Sequence, residues 1–324
     1  MQTLFKGTRA YQTIKTDCAY NQLGHAYLLI ANDARNLSAL LKIFSKLFFD
    51  CADAKTEEEV RLSRLIDAQS FADCHFFPES GKRFSVEDAE KISEECTLKP
   101  VEGDKKLFVI GDFAEATAPA QNKLLKLLEE PPQGVYFLLA TTSSYAVLPT
   151  VLSRTKKLEI PSFDALEISD ALARIYGDRF SASEYALCAV ASDGALGRAQ
   201  DALEGGTYKT LIEEAFALCL GTEETLPIAV KKIGETKRKR ELLSLIRLIY
   251  RDALVYKTPA LKNGNVFLRA ELERIKKVAG RYSSTALIKA QEYVAEAEEQ
   301  LFFNAVFPQC LEVLMAKIYA SNKK

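Results

Sequence analysis

The chain has 324 residues, of which 48% are hydrophobic and 27% charged, with a formal net charge of −1. This length allows two or three domains, and this composition excludes a disordered chain. The balanced charge excludes a globally basic nucleic-acid binder, and no stretch is long and apolar enough to cross a bilayer.

Taken in chain order, the opening "MQTLFKGTRAYQ" lacks the apolar core of a secretion signal. His25 to Phe49, "HAYLLIANDARNLSALLKIFSKLFF", reads as strand, turn and helix. Leu28, Leu29 and Ile30 form a short apolar run, and Leu37, Leu40, Leu41, Phe44, Leu47 and Phe48 recur at helical spacing. A polar helix, "TEEEVRLSRLIDAQSF", and a short strand near His75–Phe77 follow. A helix is expected from Ser85, with Glu87 and Asp88 in its first turn. "KKLFVIGDF" is a second clear strand, and "APAQNKLLKLLEEPP" a helix stopped by Pro131 and Pro132. "GVYFLLAT" is apolar throughout, as a strand covered on both faces is, and "KKLEIP" is a last short strand. Strands alternating with helices imply a mostly parallel sheet with helices on both faces.

After Pro161 the strand signal stops. A small helical unit ends in "SDGALGRAQDAL", and the remainder reads as helix with turns at "LKNGN" and "NAVFP". In "RELLSLIRLIYRDALVY", Leu242, Leu245, Ile246, Ile249, Leu254 and Tyr256 mark an apolar stripe. Lys237, Arg238, Lys239 and Arg240 read as a solvated helix end. The expected organisation is an α/β domain over 1–161, a small helical domain over 162–206 and an all-helical bundle over 207–324. The seven cysteines (Cys18, Cys51, Cys74, Cys96, Cys188, Cys219 and Cys310) are scattered and never form a C-x-x-C pair. That pattern favours reduced thiols and a cytoplasmic protein. Cys74 beside His75 supplies too few ligands for a metal site.

A nucleotide-hydrolysing domain of this order needs a glycine-rich loop with a lysine for the phosphates and an acidic strand end for Mg²⁺. The turn "ANDARNLS" has neither glycine nor lysine. Asp33 there would repel phosphate and Arg35 is its only cation, so the turn reads as an ordinary one with Asn32 or Asp33 capping the helix. The strand end has Gly111 where the metal-binding acid is expected, followed by Asp112, which reads as a cap. Ser153–Arg154 closes a short helix before the last strand. Arg154 reads as a helix-end charge or as an arginine finger reaching a neighbour's phosphate. Arg198, after a pair of glycines, reads as a helix-start arginine paired with an acid.

The order "LGHAYLL", "GKRFSVEDAEKISEECTLKPVEGDKKLFVIGDF", "AQNKLLKLLEEPPQGVYFLLATTSSYAVLPTVLSRT" and "DGALGRAQDAL" resembles the clamp-loader branch of the AAA+ ATPases, over about residues 1 to 205. The run from "NKLLKLLEEPP" to "LPTVLSR" is its most specific part. The resemblance implies a RecA-like α/β domain, a helical lid and a C-terminal collar that oligomerises. Within that branch, motor subunits keep an intact Gly-Lys-Thr loop and acidic pair. Another kind keeps only the Ser-Arg-Cys motif, and the lost loop beside Ser153–Arg154 resembles that kind. The resemblance implies no ATP hydrolysis and no cofactor in this chain, within a complex classed as a DNA-directed DNA polymerase. It implies Arg154 as a finger in trans with Ser153, and Arg198 at the second sensor position with no nucleotide to sense. The implied partners are gamma/tau motor subunits and delta, with the sliding clamp and primer–template DNA reached through the complex at the nucleoid. Thr155 stands in place of the motif's cysteine. Of the family's four-cysteine zinc module only Cys51 and Cys74 remain, so no zinc is expected.

Three readings compete: a non-catalytic clamp-loader subunit, a stand-alone weak ATPase and a nucleic-acid adaptor. A degenerate gamma/tau-like or delta-like subunit is a variant of the first. The missing lysine and glycines count against the second, and the near-neutral charge against the third.

Overall fold

The computed structural model describes residues 1–78, 83–206, 208–258, 266–268, 271–303 and 305–322. The expected turn at "LKNGN" lies outside them, as does Asn304 of "NAVFP". The chain divides into two compact units, Met1–Ser162 and Phe163–Lys324.

Two helices absent from the sequence reading open the first unit, α1 (Gln2–Lys6) and α2 (Arg9–Ala19). The Thr8 hydroxyl caps α2 by accepting from the Tyr11 N–H. There follow β1 (Ala26–Ala31), α3 (Leu37–Phe48), α4 (Glu57–Asp67), β2 (Cys74–Phe77), α5 (Val86–Glu95) and β3 (Lys106–Ile110). α6 (Ala118–Glu129), β4 (Val135–Thr141), α7 (Pro149–Leu152) and β5 (Lys156–Ile160) complete the unit. Capping boxes start α4 at Thr56 with Glu59 and α5 at Ser85 with Asp88, each satisfying two orphan backbone donors.

The five strands form one parallel sheet in the order β2-β3-β4-β1-β5. One row of register runs Phe77, Ile110, Leu139, Leu28, Lys157 across all five strands. Alternation along each strand sends neighbouring side chains to opposite faces. On one face Leu28, Phe108, Ile110, Phe137 and Leu139 bury against Ala89 and Ile92 of α5 and Ala120, Leu124 and Leu128 of α6. On the other, Tyr27 meets Phe48 of α3 edge-on, with centroids 6.0 Å apart. Both faces are covered, which is why the three inner strands read as continuous apolar runs. At the edge, β5 exposes Lys156, Lys157 and Glu159, charges that deter pairing with another chain. After the Pro131–Pro132 stop, Gly134 turns the chain at φ +78, where a Cβ would lie 2.4 Å from the Asp104 carbonyl oxygen.

α2 is tied to the rest by charge as well as by packing. The Asp17 carboxylate accepts from the Tyr27 hydroxyl at 2.7 Å and from Lys156 Nζ at 2.6 Å. Asp53 accepts from Lys6 at 2.8 Å and from Lys15 at 2.9 Å, and these bonds hold its carboxyl down, from 3.8 to about 2. A depressed folded pKa stabilises the fold above the unfolded value, and that stability is lost as pH falls through the folded one. Asp53→Asn should therefore lower the thermal midpoint above pH 3.8, and the difference should close as pH falls towards about 2. Asp53 is half exposed, so the shift is small. Melting curves of both proteins across that window check it.

The second unit contains α8 (Ala165–Tyr176), α9 (Ala182–Ala191), α10 (Leu196–Glu204), α11 (Tyr208–Cys219), α12 (Leu226–Ile233), α13 (Lys239–Lys257), α14 (Leu272–Arg281), α15 (Ser284–Phe302) and α16 (Phe307–Asn322). α8, α9 and α10 pack on one another, while α13 packs among α9, α11, α14 and α15. Leu242, Leu245, Ile246 and Ile249 are buried as expected. Beyond them the buried stripe passes through Asp252, Ala253 and Val255, leaving Leu254 and Tyr256 half-buried. Asp252 is fully buried, accepting from the Leu268 N–H at 2.8 Å and from Arg251 at 3.0 Å. Burial nevertheless pushes its carboxyl up. Among the described residues no helix is long and apolar enough to cross a membrane.

A parallel α/β domain followed by helices is the fold class expected of a RecA-like, AAA+ chain.

Candidate functional site

In open parallel α/β sheets ligands bind beyond the carboxyl ends of the strands. The turn after β1 occupies that place. Its helix begins at Leu37 with Asn36 as the cap residue, and no side chain caps it. Asp33 accepts instead from the Asn36 backbone N–H at 3.2 Å and from the Asn36 side-chain amide at 2.9 Å. The expected cap by Asn32 or Asp33 is thus corrected. Asp33 is spent on the residue before the helix, and Asn32 and Arg35 stand exposed.

The end of β3 also differs from expectation. The Gly111 N–H donates to the Phe77 carbonyl at 2.9 Å, and a Cβ at 111 would meet only ordinary contacts at 3.7 Å. Glycine there is not demanded by space. Asp112 has φ 20 and ψ 69, a conformation that side chains rarely adopt. It does not cap the turn Phe113–Glu115, and its Oδ1 is buried without a hydrogen-bond partner.

These segments line a cavity of about 530 Å³, with Ala34, Ser38 and Leu41 on one side and Phe77, Phe84, Gly111, Asp112 and Glu115 on the other. Arg83 also lines it, but its guanidinium pairs with Glu115 at 2.8 Å. Two carboxylates and a compensated arginine are poor company for a triphosphate, which needs amides and an unspent cation.

Arg154 stands apart from that cavity and is not among its lining residues. α7 is one turn long and begins at Pro149, which suits a first helical position. The Ser153 hydroxyl closes the helix by donating to the Thr150 carbonyl at 3.0 Å. Thr155 is buried, its hydroxyl donating to the Val151 carbonyl at 3.1 Å. Arg154 lies between them, its side chain 33% exposed. Its Nη1 donates to the Thr150 carbonyl at 2.9 Å and to the Ser153 hydroxyl at 3.2 Å, and Nη2 pairs with Glu129.

Two residues of this arrangement escaped the sequence reading. One is Glu129, the last residue of α6. The other is Gln121, 2% exposed. Its amide nitrogen donates to the Ala116 carbonyl at 3.2 Å and to the Ala146 carbonyl at 3.1 Å, and its oxygen accepts from the Leu148 N–H at 2.9 Å. Gln121 so pins to α6 the loop from which α7 and Arg154 depart. A polar residue in the helix "AQNKLLKLL" was the only available signal for it.

Arg198 belongs to the second unit, at the third position of α10, and pairs with Asp193 at 3.5 Å. Cys51 and Cys74 are both buried thiols, and burial pushes Cys51 up to about 11. Among the described residues no group of three or more His, Cys, Asp or Glu is placed to hold a metal.

The family described as "DNA polymerase III, delta subunit" matches residues 6–164. The DNA polymerase III subunit tau/gamma of Haemophilus influenzae is 32% identical over 158 residues, 48% of this chain and 23% of that protein. Subunit delta' of Bacillus subtilis is 29% identical over 164 residues, 50% of this chain and 48% of that protein. The first unit belongs to the clamp-loader family of DNA polymerase III subunits. The chain spans about a quarter to a half of the length of these relatives. A gamma subunit of Buchnera aphidicola aligns over 97% of this chain and 93% of its own length, at 23% identity.

Proposed function

We propose that this clamp-loader-family chain is a delta-prime-like subunit that hydrolyses no ATP itself and presents Arg154 to ATP held by a neighbouring motor subunit. The observation that carries the reading is the separation of two features. Among the described residues, the lining of the cavity at the nucleotide position offers Asp112, Glu115 and an arginine already paired with Glu115, while Arg154 is partly exposed and outside that lining. A finger without a loop has use only where another chain supplies the nucleotide.

On this reading residues 1–161 form the degenerate AAA+ domain, 162–206 the lid and 207–324 the collar that joins the sibling subunits. Ser153 fixes the finger's base. Arg198 keeps the second sensor position but serves as a local ion-pair partner. The partners are gamma/tau and delta subunits, and through them the sliding clamp and primed DNA during replication in the cytoplasm. Arg154 would stabilise charge developing on the γ-phosphate, and ATP turnover would then release the clamp onto DNA.

The test has two arms. The isolated chain should bind ATP no tighter than about 1 mM, an interaction near 4 kcal/mol, in calorimetric titration. Added to gamma/tau and delta subunits, it should enter one hetero-oligomer and raise ATP turnover there. Micromolar ATP affinity of the isolated chain, or turnover indifferent to its presence, would contradict the reading.

A further inference from the structure

The contacts of Arg154 differ in kind. Thr150 and Ser153 belong to its own helix end and hold Nη1. Glu129 comes from the end of another helix, α6, and holds Nη2. A guanidinium has five N–H donors in a fixed fork. With Nη1 turned back onto its own helix, the edge left for a phosphate is the one that carries Nη2, where Glu129 sits. Glu129 and Arg154 are 45% and 33% exposed, so water competes for the pair and it is held weakly.

We infer that Glu129 is a cis counter-ion for Arg154, occupying the guanidinium edge that a neighbour's γ-phosphate takes and yielding it when that phosphate arrives. This rests on the reading of Arg154 as a finger in trans. Glu129 touches Arg154 and not the nucleotide, so it is a positioning residue. Thr150 and Ser153 keep the guanidinium oriented in its absence. Removing the carboxylate charge therefore frees the edge without disordering the arginine. The displacement is paid before both the bound state and the transition state, so it belongs to KM. Exposed pairs of this kind shift an equilibrium by up to about fivefold.

The test uses the whole assembled complex with gamma/tau and delta subunits, and steady-state ATP turnover against ATP concentration. The chains compared are the wild type, Glu129→Gln, Arg154→Ala and the double variant. Glu129→Gln should lower KM for ATP by about two- to fivefold, and that gain should vanish when Arg154 is already alanine. An unchanged or raised KM in Glu129→Gln, with Arg154→Ala impaired, overturns the counter-ion and leaves the finger. A lowered KM that persists without Arg154 also overturns it, because the effect then arises elsewhere. Wild-type kinetics for Arg154→Ala overturn finger and counter-ion together.

Discussion

Arg154→Ala is expected to stall hydrolysis at the one ATP site that this chain faces in the assembled complex. Arginine fingers supplied in trans contribute about 10³–10⁵ in rate in GTPase systems, and the slowdown at that site should fall in or near this range. Steady-state turnover then falls by the share of that site if sites fire independently, and further if they fire in sequence. Single-turnover measurement separates the cases, because one slow ATP should persist per complex. Arg154→Lys keeps the charge but not the bidentate fork, and should recover only part of the rate. Folding is not at stake. The side chain is partly exposed and its ion pair with Glu129 contributes at most about 1 kcal/mol. Clamp- and DNA-stimulated turnover at the wild-type level in Arg154→Ala would remove the finger.

Gln121→Leu should have the largest effect on the first unit itself. The amide of Gln121 satisfies three backbone groups from inside the core. Leucine has nearly the same volume and no polar atom. It strands the Leu148 N–H and the buried Ala116 carbonyl, while exposed Ala146 turns to water. Each stranded buried group costs about 1–3 kcal/mol, so a loss of about 2–4 kcal/mol is expected. Urea denaturation should show a lower midpoint with an unchanged slope. The same substitution unpins the loop before α7. ATP turnover in the complex should therefore fall even where the variant is folded, since small misplacement of a catalytic group is costly. A wild-type midpoint for Gln121→Leu would show that these hydrogen bonds carry no net stability.

The parts of the fold legible in the sequence are those where one local signal decides. Leu28 to Ile30, Leu107 to Ile110 and Val135 to Ala140 read as strands because burial on both faces leaves no polar position. α6 ends where Pro131 and Pro132 demand it. α2 was not legible. Its inward residues, Ala10, Tyr11 and Ile14, are few, and its hold on the sheet runs through Asp17 to Tyr27 and Lys156, partners distant in sequence. The site divides in the same way. The absence of glycine and lysine from the turn at 32–38 is a local fact, as is the presence of Ser153–Arg154. The role of Glu129 is not local, because only packing of α6 beside α7 brings its carboxylate to Arg154. The Asp112 side chain also defied local reading. A cap was the ordinary expectation, but Asp112 sits at φ 20 and makes no capping hydrogen bond to the helical turn it precedes.

The most direct measurement of the central claim is a structure of the assembled complex with a non-hydrolysable ATP analogue. The expected result has the Arg154 guanidinium about 2.7–2.9 Å from a γ-phosphate oxygen of a nucleotide held by the neighbouring subunit, with no nucleotide in the cavity beside Asp112. Arg154 still paired with Glu129 in that complex, and the neighbour's γ-phosphate held by other groups alone, would contradict it.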